Sequence, residues 1–257
     1  MGLTVENVSM TFPDSGKVTL QDVSFSVDDG EFVCMIGPSG SGKSTVINLI
    51  AGLETPTHGR ILLDGQVVTG PGPDRVVMFQ EAALFPWLTV IENVKFGLGM
   101  LRKSKEEQEE TAMKFLKMVQ LSDFRDYQVH QLSGGMKQRV ALARALALDS
   151  KILLMDEPFA SLDKQTINLL REEIQTIWMQ TRKTVIFITH SVEEALFFGD
   201  RIIMLSADPG KVRSIIDVTL PRPRHIESPE FIRLRKELLQ MLRIEVEEIA
   251  KKEYDAE

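Results

Sequence analysis

The chain has 257 residues, 43% of them hydrophobic, so it can bury a sizeable core as one large domain or two small ones. No apolar run approaches the ~18 to 20 residues that span a bilayer, and the N-terminus lacks a signal-peptide pattern, which nearly excludes a membrane-embedded role. The formal net charge of -7 argues against a general nucleic-acid binder, because neutralising phosphates requires a basic surface. The one cysteine, Cys34, lies in an apolar stretch, which favours a packed thiol and a cytoplasmic compartment.

Residues 3–33 alternate apolar and polar positions, with turn signals at 13–16 and 28–30. This pattern predicts an antiparallel β layer. Phe12 is an aromatic residue near the first turn, and it either packs in the core or stacks on a nucleotide base. From the residues alone, core packing is the favoured interpretation. The apolar positions that define the alternation include Val5, Val8, Met10, Val23, Phe25 and Val27.

A glycine-rich loop at 37–45 follows the apolar run 32–36 and precedes a segment, 46–51, whose apolar positions suit the buried face of a helix. A polyphosphate needs many N–H donors at close range, so the loop must bend its backbone inward where Cβ atoms would clash. The helix N-terminus adds partial positive charge. We expect Lys43 to reach the β- and γ-phosphates and the Ser44 hydroxyl to bind Mg²⁺. The predicted nucleotide-binding residues are Gly37, Pro38, Ser39, Gly40, Ser41, Gly42, Lys43, Ser44 and Thr45.

The middle of the chain changes from strands to helices. Residues 60–68 predict two short strands around an Asp-Gly turn, and 75–79 predict a strand that ends at Gln80. The segment 82–90 is apolar yet carries a proline, and helical runs follow at 103–121 and 138–148. We therefore interpret residues 84–148 as a mainly helical insert in an α/β protein.

The α/β pattern returns after residue 151. The apolar run 152–155 predicts a central strand that ends in Asp156-Glu157-Pro158, and a helix follows at about 164–180. A buried strand at 184–189 then ends at His190. Because ligands of open parallel sheets gather at the carboxyl ends of strands, these polar residues and the glycine-rich loop are placed where a ligand is expected.

The side chains at these strand ends suit phosphoryl chemistry. Asp156 is the expected Mg²⁺ carboxylate, directly or through water, and Glu157 would orient and deprotonate an attacking water. His190 would hydrogen-bond the transferred phosphoryl group. Taken singly, Asp-Glu-Pro is usually a strand exit, a histidine after a strand is usually structural, and a glycine loop can be a plain turn. Their combination favours a hydrolytic nucleotide site.

A second anion cradle is predicted at Leu132-Ser133-Gly134-Gly135, which opens a helix through a serine and two glycines. A single nucleotide does not need two cradles. We therefore predict a head-to-tail pair of chains, in which this cradle closes over the γ-phosphate held by the partner's glycine-rich loop. ATP then holds the two subunits together, and hydrolysis releases them.

With these motifs in this order and spacing, residues 3–220 resemble the ATP-hydrolysing subunit of an ABC transporter. The resemblance implies an α/β P-loop NTPase fold, the ABC-type nucleotide-binding domain, with an N-terminal antiparallel β layer and an inserted helical subdomain. It implies an ATPase domain at 1–225, with its helical subdomain at about 84–148, and a C-terminal helical extension at 226–257. The implied cofactors are ATP and Mg²⁺.

The resemblance also assigns roles to single residues. By similarity, 37–45 is the Walker A loop, 132–136 the signature, 152–157 the Walker B strand, and Ser161-Leu162-Asp163 the D-loop. The implied catalytic residues are Glu157, His190, Gln80 and Lys43. The implied metal ligands are Ser44, Gln80 and Asp156, and the implied nucleotide-binding residues outside the Walker A loop are Phe12, Ser133, Gly134, Gly135 and Asp163.

Two residues depart from the commoner family pattern. Phe12 falls where the family places an adenine-stacking aromatic, commonly a tyrosine, and this position reverses the core interpretation. Met136 stands where the signature commonly has a glutamine. We expect activity to survive both departures, because neither removes a phosphate donor or a base-stacking face.

A finer resemblance, to the nitrate, sulfonate and taurine importer group, rests on residues 80–90, Met136 and 220–224. It implies import of a small anionic solute, although related importers carry thiamine-precursor pyrimidines, bicarbonate or aromatic acids. The implied partners are a second ATPase subunit, identical or different, transmembrane permease subunits, and an extracytoplasmic solute-binding protein that acts through the permease. No nucleic-acid partner is implied. The implied location is the cytoplasmic face of the cell membrane, where the permease holds the subunit peripherally.

Two other classes of protein are alternatives to an importer subunit. A soluble ABC ATPase acting on DNA or ribosomes would predict tandem cassettes or a long coiled-coil insertion, and the sequence shows neither. A nucleotide-gated module without turnover would be expected to lack Glu157 or His190. Both residues are in place.

Two apolar surfaces have open interpretations. The cluster Leu84, Phe85, Trp87 and Leu88 either docks a membrane partner or packs in the core of the subunit itself. A long helix predicted to begin at Ser228-Pro229-Glu230 has an apolar face, which packs on its own domain or on the second ATPase subunit.

Overall fold

The computed structural model describes residues 2–13, 16–160, 162–207 and 209–255. It divides into two compact units, Met1–Gly72 with Lys183–Glu257, and Pro73–Arg182. Asp14 and Ser15 of the first predicted turn, and Ser161 of the predicted D-loop, lie outside the described residues. Within the described ranges, the helices are all too short or too polar to cross a membrane.

The elements follow one another in an α/β order. The strands are β1 (Gly2–Thr11), β2 (Val18–Asp28), β3 (Phe32–Ile36), β4 (His58–Leu63), β5 (Gln66–Val67), β6 (Arg75–Met78), β7 (Ile152–Asp156), β8 (Thr184–Ile188), β9 (Arg201–Leu205) and β10 (Val212–Asp217). The helices are α1 (Lys43–Ala51), α2 (Val90–Met100), α3 (Lys105–Met118), α4 (Gly134–Ala147), α5 (Lys164–Thr181), α6 (Val192–Phe198) and α7 (Pro229–Asp255).

The predicted antiparallel layer lies in the first unit and has the strand order β2-β1-β4-β5. On β1, Val5 pairs with Phe25 of β2 on one side and with Ile61 of β4 on the other. All three side chains are buried, as are the other apolar positions of the alternation. The period of two in the sequence therefore gives this layer one buried face. The predicted turn at Asp64-Gly65 joins β4 to β5.

The second sheet of the first unit runs β10-β9-β3-β8, with β3 parallel to β8 and β9 and with β10 antiparallel to β9. All residues of β3 are buried, as expected for a strand with both faces covered. Rings of Phe32, Phe187 and Phe198 pack together, with centroids 5.2 to 5.9 Å apart. Burial raises the pKa of the Cys34 thiol far above its ordinary value, so the prediction of a packed thiol is confirmed.

In the second unit, β6 pairs in parallel with β7, with Met78 opposite Met155, and α2, α3 and α4 pack against one another. The mainly helical character predicted for 84–148 is therefore observed. The helix predicted from residue 138 begins earlier, at Gly134. The Ser133 hydroxyl accepts a hydrogen bond from the Met136 N–H at 3.3 Å, and this cap starts the helix despite two glycines of low helix propensity.

The C-terminal helix α7 begins at Pro229, as predicted, with the Ser228 hydroxyl accepting from the Phe231 N–H at 3.3 Å. Phe231 and Leu238 are buried, and α7 packs against α6. Arg235 of α7 also forms an ion pair with Glu193 of α6 at 3.0 Å. The helix thus packs on its own unit. The side chains of Val246 and Ile249, predicted to continue its apolar face, lie outside the described residues. The predicted domain boundary at residue 225 stays a prediction.

Arg224 is a buried cation just before α7, only 4% exposed. It links the C-terminal end of α6 to the segment after β10, because its guanidinium donates to backbone carbonyl oxygens of both. The acceptors are the carbonyl oxygens of Leu196, Phe197, Gly199, Val218 and Leu220, at 2.6 to 3.3 Å. Burial lowers the pKa of Arg224 to about 10, which still leaves it charged at neutral pH.

We predict that Arg224→Ala lowers the free energy of unfolding by about 3 kcal/mol, because several buried carbonyl groups lose their donor. Denaturant unfolding of the purified chain measures this loss. Arg233→Ala is the matched control, since Arg233 lies exposed on α7. An equal loss in the two variants would contradict the assigned role of Arg224.

Candidate active site

The glycine-rich loop connects β3 to α1 in the first unit. Gly42 caps α1 with φ 81°, a left-handed conformation that residues other than glycine rarely adopt. A Cβ on Gly42 would lie 2.5 Å from a methyl carbon of Leu20, and a Cβ on Gly37 would lie 2.5 Å from the carbonyl oxygen of Leu205. The structure therefore explains Gly42 by its left-handed backbone and Gly37 by a backbone contact that leaves no space for a side chain.

Lys43, the first residue of α1, is 5% exposed. Its ammonium donates to the carbonyl oxygens of Gly37 and Pro38, at 3.0 and 2.9 Å, and to the hydroxyl of Ser41 at 3.3 Å. No acidic residue lies in the first turn of α1. The loop thus holds a positive charge next to the N-terminus of a helix, which is the electrostatic requirement for binding a phosphate group.

The loop is fastened to the antiparallel layer through Gly210. The Gly210 N–H donates to the carbonyl of Thr19, and the Gln21 N–H donates to the carbonyl of Gly210, both at 2.9 Å. A Cβ on Gly210 would lie 2.2 Å from the carbonyl oxygen of Ser41. This contact was not predicted from the sequence, in which the Pro209-Gly210 turn dipeptide is its signal.

His190 lies at the same sheet edge as the loop, because β3 and β8 are neighbouring parallel strands with Met35 opposite Ile188. The Thr189 N–H donates to the carbonyl of Met35 at 3.2 Å, which extends the pairing to the residue before His190. The His190 side chain is exposed. Phe12, also in the first unit, is half-buried at the end of β1, so it does not belong to the buried core.

In the second unit, Gln80 and Asp156-Glu157 follow the carboxyl ends of the paired strands β6 and β7. The structure thus brings together two of the predicted metal ligands, Gln80 and Asp156, and the predicted base. Glu157 has φ 47°, a conformation that costs a non-glycine residue on the order of 1 kcal/mol. Strain of this kind is typical of residues that a site must orient.

Two side chains of α4 hold the segment after Gln80. Gln138 donates its amide to the carbonyl of Gln80 at 2.9 Å. Arg144 donates to the carbonyls of Ala83 and Ala82, at 2.9 and 3.0 Å, and stacks 5.6 Å from the ring centroid of Phe85. The segment that carries Gln80 is therefore tied to the helix that begins at Gly134. Sequence reasoning missed both residues, since only their helical pattern was visible.

The second cradle lies against the start of α5. A Cβ on Gly135 would lie 2.5 Å from the methyl carbon of Thr166, and a Cβ on Gly134 would lie 3.3 Å from Leu162. Asp163 caps α5 by accepting from the N–H groups of Gln165 and Thr166, each at 3.0 Å. The Thr166 hydroxyl also donates to Asp163, and these hydrogen bonds lower the pKa of the Asp163 carboxyl. Ser133–Gly135 and Asp163 thus lie at neighbouring helix starts.

The donor set fits a nucleotide with Mg²⁺. The predicted metal ligands Ser44, Gln80 and Asp156 offer hydroxyl, amide and carboxylate oxygens, which this hard cation prefers. Among the described residues there is no cluster of three or more His, Cys, Asp or Glu side chains that could hold a metal ion. The assignment of the individual site residues stays a prediction.

The apolar cluster after Gln80 lies at the surface. Trp87 is 72% exposed, while Leu84, Phe85 and Leu88 are half-buried. The ring centroid of Phe85 lies 5.6 Å from that of Trp87 and 4.2 Å from that of Phe96, which is also exposed. Asn93 holds the backbone of this segment by accepting from the Phe85 N–H at 2.8 Å. The alternative that the cluster packs in the subunit's own core is therefore wrong for Trp87.

Comparisons with known proteins show which family the chain resembles. The family model described as ABC transporter matches residues 20–160. An uncharacterized ABC transporter ATP-binding protein of Methanocaldococcus jannaschii is 49% identical over 95% of this chain and 92% of its own length. Two Synechocystis proteins are also similar. The bicarbonate transport ATP-binding protein CmpD is 44% identical over 93% of this chain and 88% of its own, and the nitrate import ATP-binding protein NrtD is 45% identical over 88% of each.

Solved structures with the same fold include a dimeric bacterial ABC transporter cassette, with a TM-score of 0.74 and 34% identity. The match covers 85% of this chain and all of that one. The cbiO1 protein of Clostridium perfringens, part of the ABC transporter complex cbiONQ, matches with a TM-score of 0.78 and 25% identity over 94% of this chain and 96% of its own. The predicted fold class is confirmed.

We predict that Arg144→Met loosens the segment after Gln80 without unfolding the chain. Two charge-assisted hydrogen bonds to backbone carbonyls are lost, so hydrogen exchange of the amides in residues 82–88 should accelerate about tenfold. Lys137→Met, which removes the same charge from the same helix, is the control and should leave that exchange unchanged. Unchanged exchange in Arg144→Met would show that the guanidinium does not hold the segment.

Proposed function

This chain belongs to the ABC transporter family as one of its ATP-binding ATPases, and we propose that it energises an importer for small anionic solutes of the nitrate, sulfonate or taurine type. The observation that carries the solute class is the 44 to 45% identity, over nearly the whole chain, to ATP-binding proteins of bicarbonate transport and nitrate import. Nitrate and bicarbonate are both small oxoanions. The solute itself is recognised by other subunits, so the proposal concerns a class of solute.

The phosphate loop supplies the ground-state contacts to ATP. Lys43 exchanges hydrogen bonds with loop oxygens for bonds to the β- and γ-phosphates, and the N–H groups at the start of α1 complete the anion site. Phe12 offers its half-buried ring to the adenine base. Ser44, Gln80 and Asp156 are the residues that would hold Mg²⁺, which would neutralise phosphate charge when bound.

Glu157 is the proposed general base. Its carboxylate accepts a proton from the attacking water, and its strained backbone fixes the direction of the side chain. His190 donates a hydrogen bond to the transferred phosphoryl group, where negative charge develops. In this proposal Lys43 binds the phosphates of ATP, Glu157 takes the proton of the attacking water, and His190 stabilises the negative charge on the phosphoryl group.

Two copies of an ATPase subunit complete the site in this proposal. Ser133–Gly135 of one copy, at the N-terminus of α4, closes over the γ-phosphate held by the phosphate loop of the other. The dimeric cassette of the same fold supports the pairing of two ATPase subunits. The second copy is either identical to this chain or a related subunit.

The permease is the proposed partner of the exposed cluster at Leu84, Phe85, Trp87 and Leu88. A large aromatic side chain at 72% exposure within a cluster of apolar surface residues is typical of a docking position. Since Arg144 and Gln138 tie this segment to α4, a shift of the signature helix is passed to whatever docks there. The subunit is thereby held at the cytoplasmic face of the membrane, and a solute-binding protein acts through the permease.

We predict that Lys43→Ala abolishes ATP binding, whereas Glu157→Gln binds ATP normally and loses at least ~100-fold in kcat, because only the base acts on the water. Nucleotide binding by fluorescence titration and phosphate release on the same preparations separate the two effects. A near-normal ATPase rate in Glu157→Gln would mean that the base lies elsewhere.

We predict that Trp87→Ala leaves the melting temperature and basal ATPase rate of the isolated subunit unchanged, because the side chain buries little surface there. In the assembled transporter, the same change should prevent stimulation of ATPase activity by the solute-loaded binding protein. Leu53→Ala, at an exposed apolar position of the first unit, is the control and should keep the stimulation. Normal stimulation in Trp87→Ala would rule out this surface as the docking site.

A further inference from the structure

His190 lies at the middle of a three-residue turn, and hydrogen bonds restrain both of its neighbours, Thr189 and Ser191. The Ser191 N–H donates to the hydroxyl of Thr189 at 2.9 Å, which closes a local turn around His190. Thr189 is 3% exposed, and its N–H donates to the carbonyl of Met35 on β3. Met35 lies two residues before the phosphate loop. The turn is therefore anchored to the strand that leads into that loop.

A buried carboxylate holds the same turn from the other side. The Thr189 hydroxyl donates its only proton to Glu194, which is 8% exposed and lies in the first turn of α6. The Glu194 N–H donates to the hydroxyl of Ser191 at 3.3 Å. Glu194 is thus linked to both neighbours of His190 through its side chain and its backbone.

Helix capping alone does not account for these contacts. The Ser191 hydroxyl already caps α6. Burying the Glu194 carboxylate costs free energy, which a cap by Ser191 does not require. Glu193, the preceding residue of the same helix turn, instead lies nearer the surface and pairs with Arg235. The carboxylate of Glu194 is directed to Thr189, which adjoins the histidine.

We propose that Thr189 and Glu194 are positioning residues that fix the backbone of His190, and hence the approach of its imidazole to the transferred phosphoryl group. This inference rests on the proposed function, in which His190 stabilises the charge that develops during hydrolysis. A hydrogen-bond donor at such a site must be held within a fraction of an ångström to lower the barrier. The ST-turn and the buried carboxylate supply that restraint.

The test is a double-mutant cycle on the ATPase rate. Thr189→Val keeps the shape of the side chain but loses the hydroxyl, and it should lower kcat about tenfold with KM for ATP nearly unchanged. Thr189→Ser keeps the hydroxyl and should restore most of kcat. Glu194→Met, which removes the acceptor at similar size, should repeat the Thr189→Val result. Glu193→Gln is the matched control on the same helix turn and should keep the wild-type rate.

The background His190→Ala distinguishes positioning from a general structural role. If Thr189 acts through His190, Thr189→Val causes no further loss of kcat in that background. A further tenfold loss there, or a loss of melting temperature and kcat that Thr189→Ser does not rescue, would overturn the inference. If His190→Ala lowers kcat and Thr189→Val does not, only the inference fails. If His190→Ala itself keeps the wild-type kcat, the proposed role of the histidine and the inference are both wrong.

Discussion

A backbone cradle binds a polyphosphate where N–H donors converge and no side chain lies in their way, and this constraint shapes the first unit. It accounts for the left-handed Gly42, for the close contact of Gly37 with Leu205, and for the absence of acidic residues from the first turn of α1. It also accounts for the surroundings of the loop. The buried strand β3 leads into it, and Gly210 packs on Ser41 behind it. Its neighbours thus leave no space for a side chain at Gly37 or Gly210.

Most strands and helices could be predicted from the sequence, because the patterns that indicate them are local. Alternating apolar positions in 3–33, an unbroken apolar run before Asp156 and a proline after Ser228 each follow from the period or conformation of one element, and the structure contains all three elements. The ends of the strands could also be predicted, since a polar residue after an apolar run marks the edge where parallel sheets bind ligands. The positions of Gln80, Glu157 and His190 therefore followed from the pattern, while their chemical roles came from a family resemblance.

What the sequence could not show are contacts that depend on residues far apart in the chain. The proline-rich segment around Arg224 would suggest a surface arginine. In the structure, Arg224 is buried and donates to backbone carbonyls up to 28 residues earlier in the chain. Arg144 and Gln138 read as polar positions of a helix, although their partners lie about 60 residues earlier. In the sequence, Glu194 is one of two acidic residues at the start of a helix. Only the fold shows that Glu194 is buried against Thr189 while Glu193 pairs with Arg235. A polar side chain is assigned to solvent unless its buried acceptors are known, and those acceptors belong to the tertiary structure.

We propose that each nucleotide is enclosed by two copies of the subunit, with Ser133–Gly135 of one copy closing over the phosphates held by the other. The most direct measurement is the molar mass of the Glu157→Gln protein by light scattering with ATP and Mg²⁺, with and without Ser133→Arg. We expect the Glu157→Gln protein to double its molar mass when ATP is added, and the added Ser133→Arg to keep ATP binding by the monomer but prevent the doubling. Loss of ATP binding by the monomer in the doubly substituted protein, or dimerisation that survives Ser133→Arg, would contradict it.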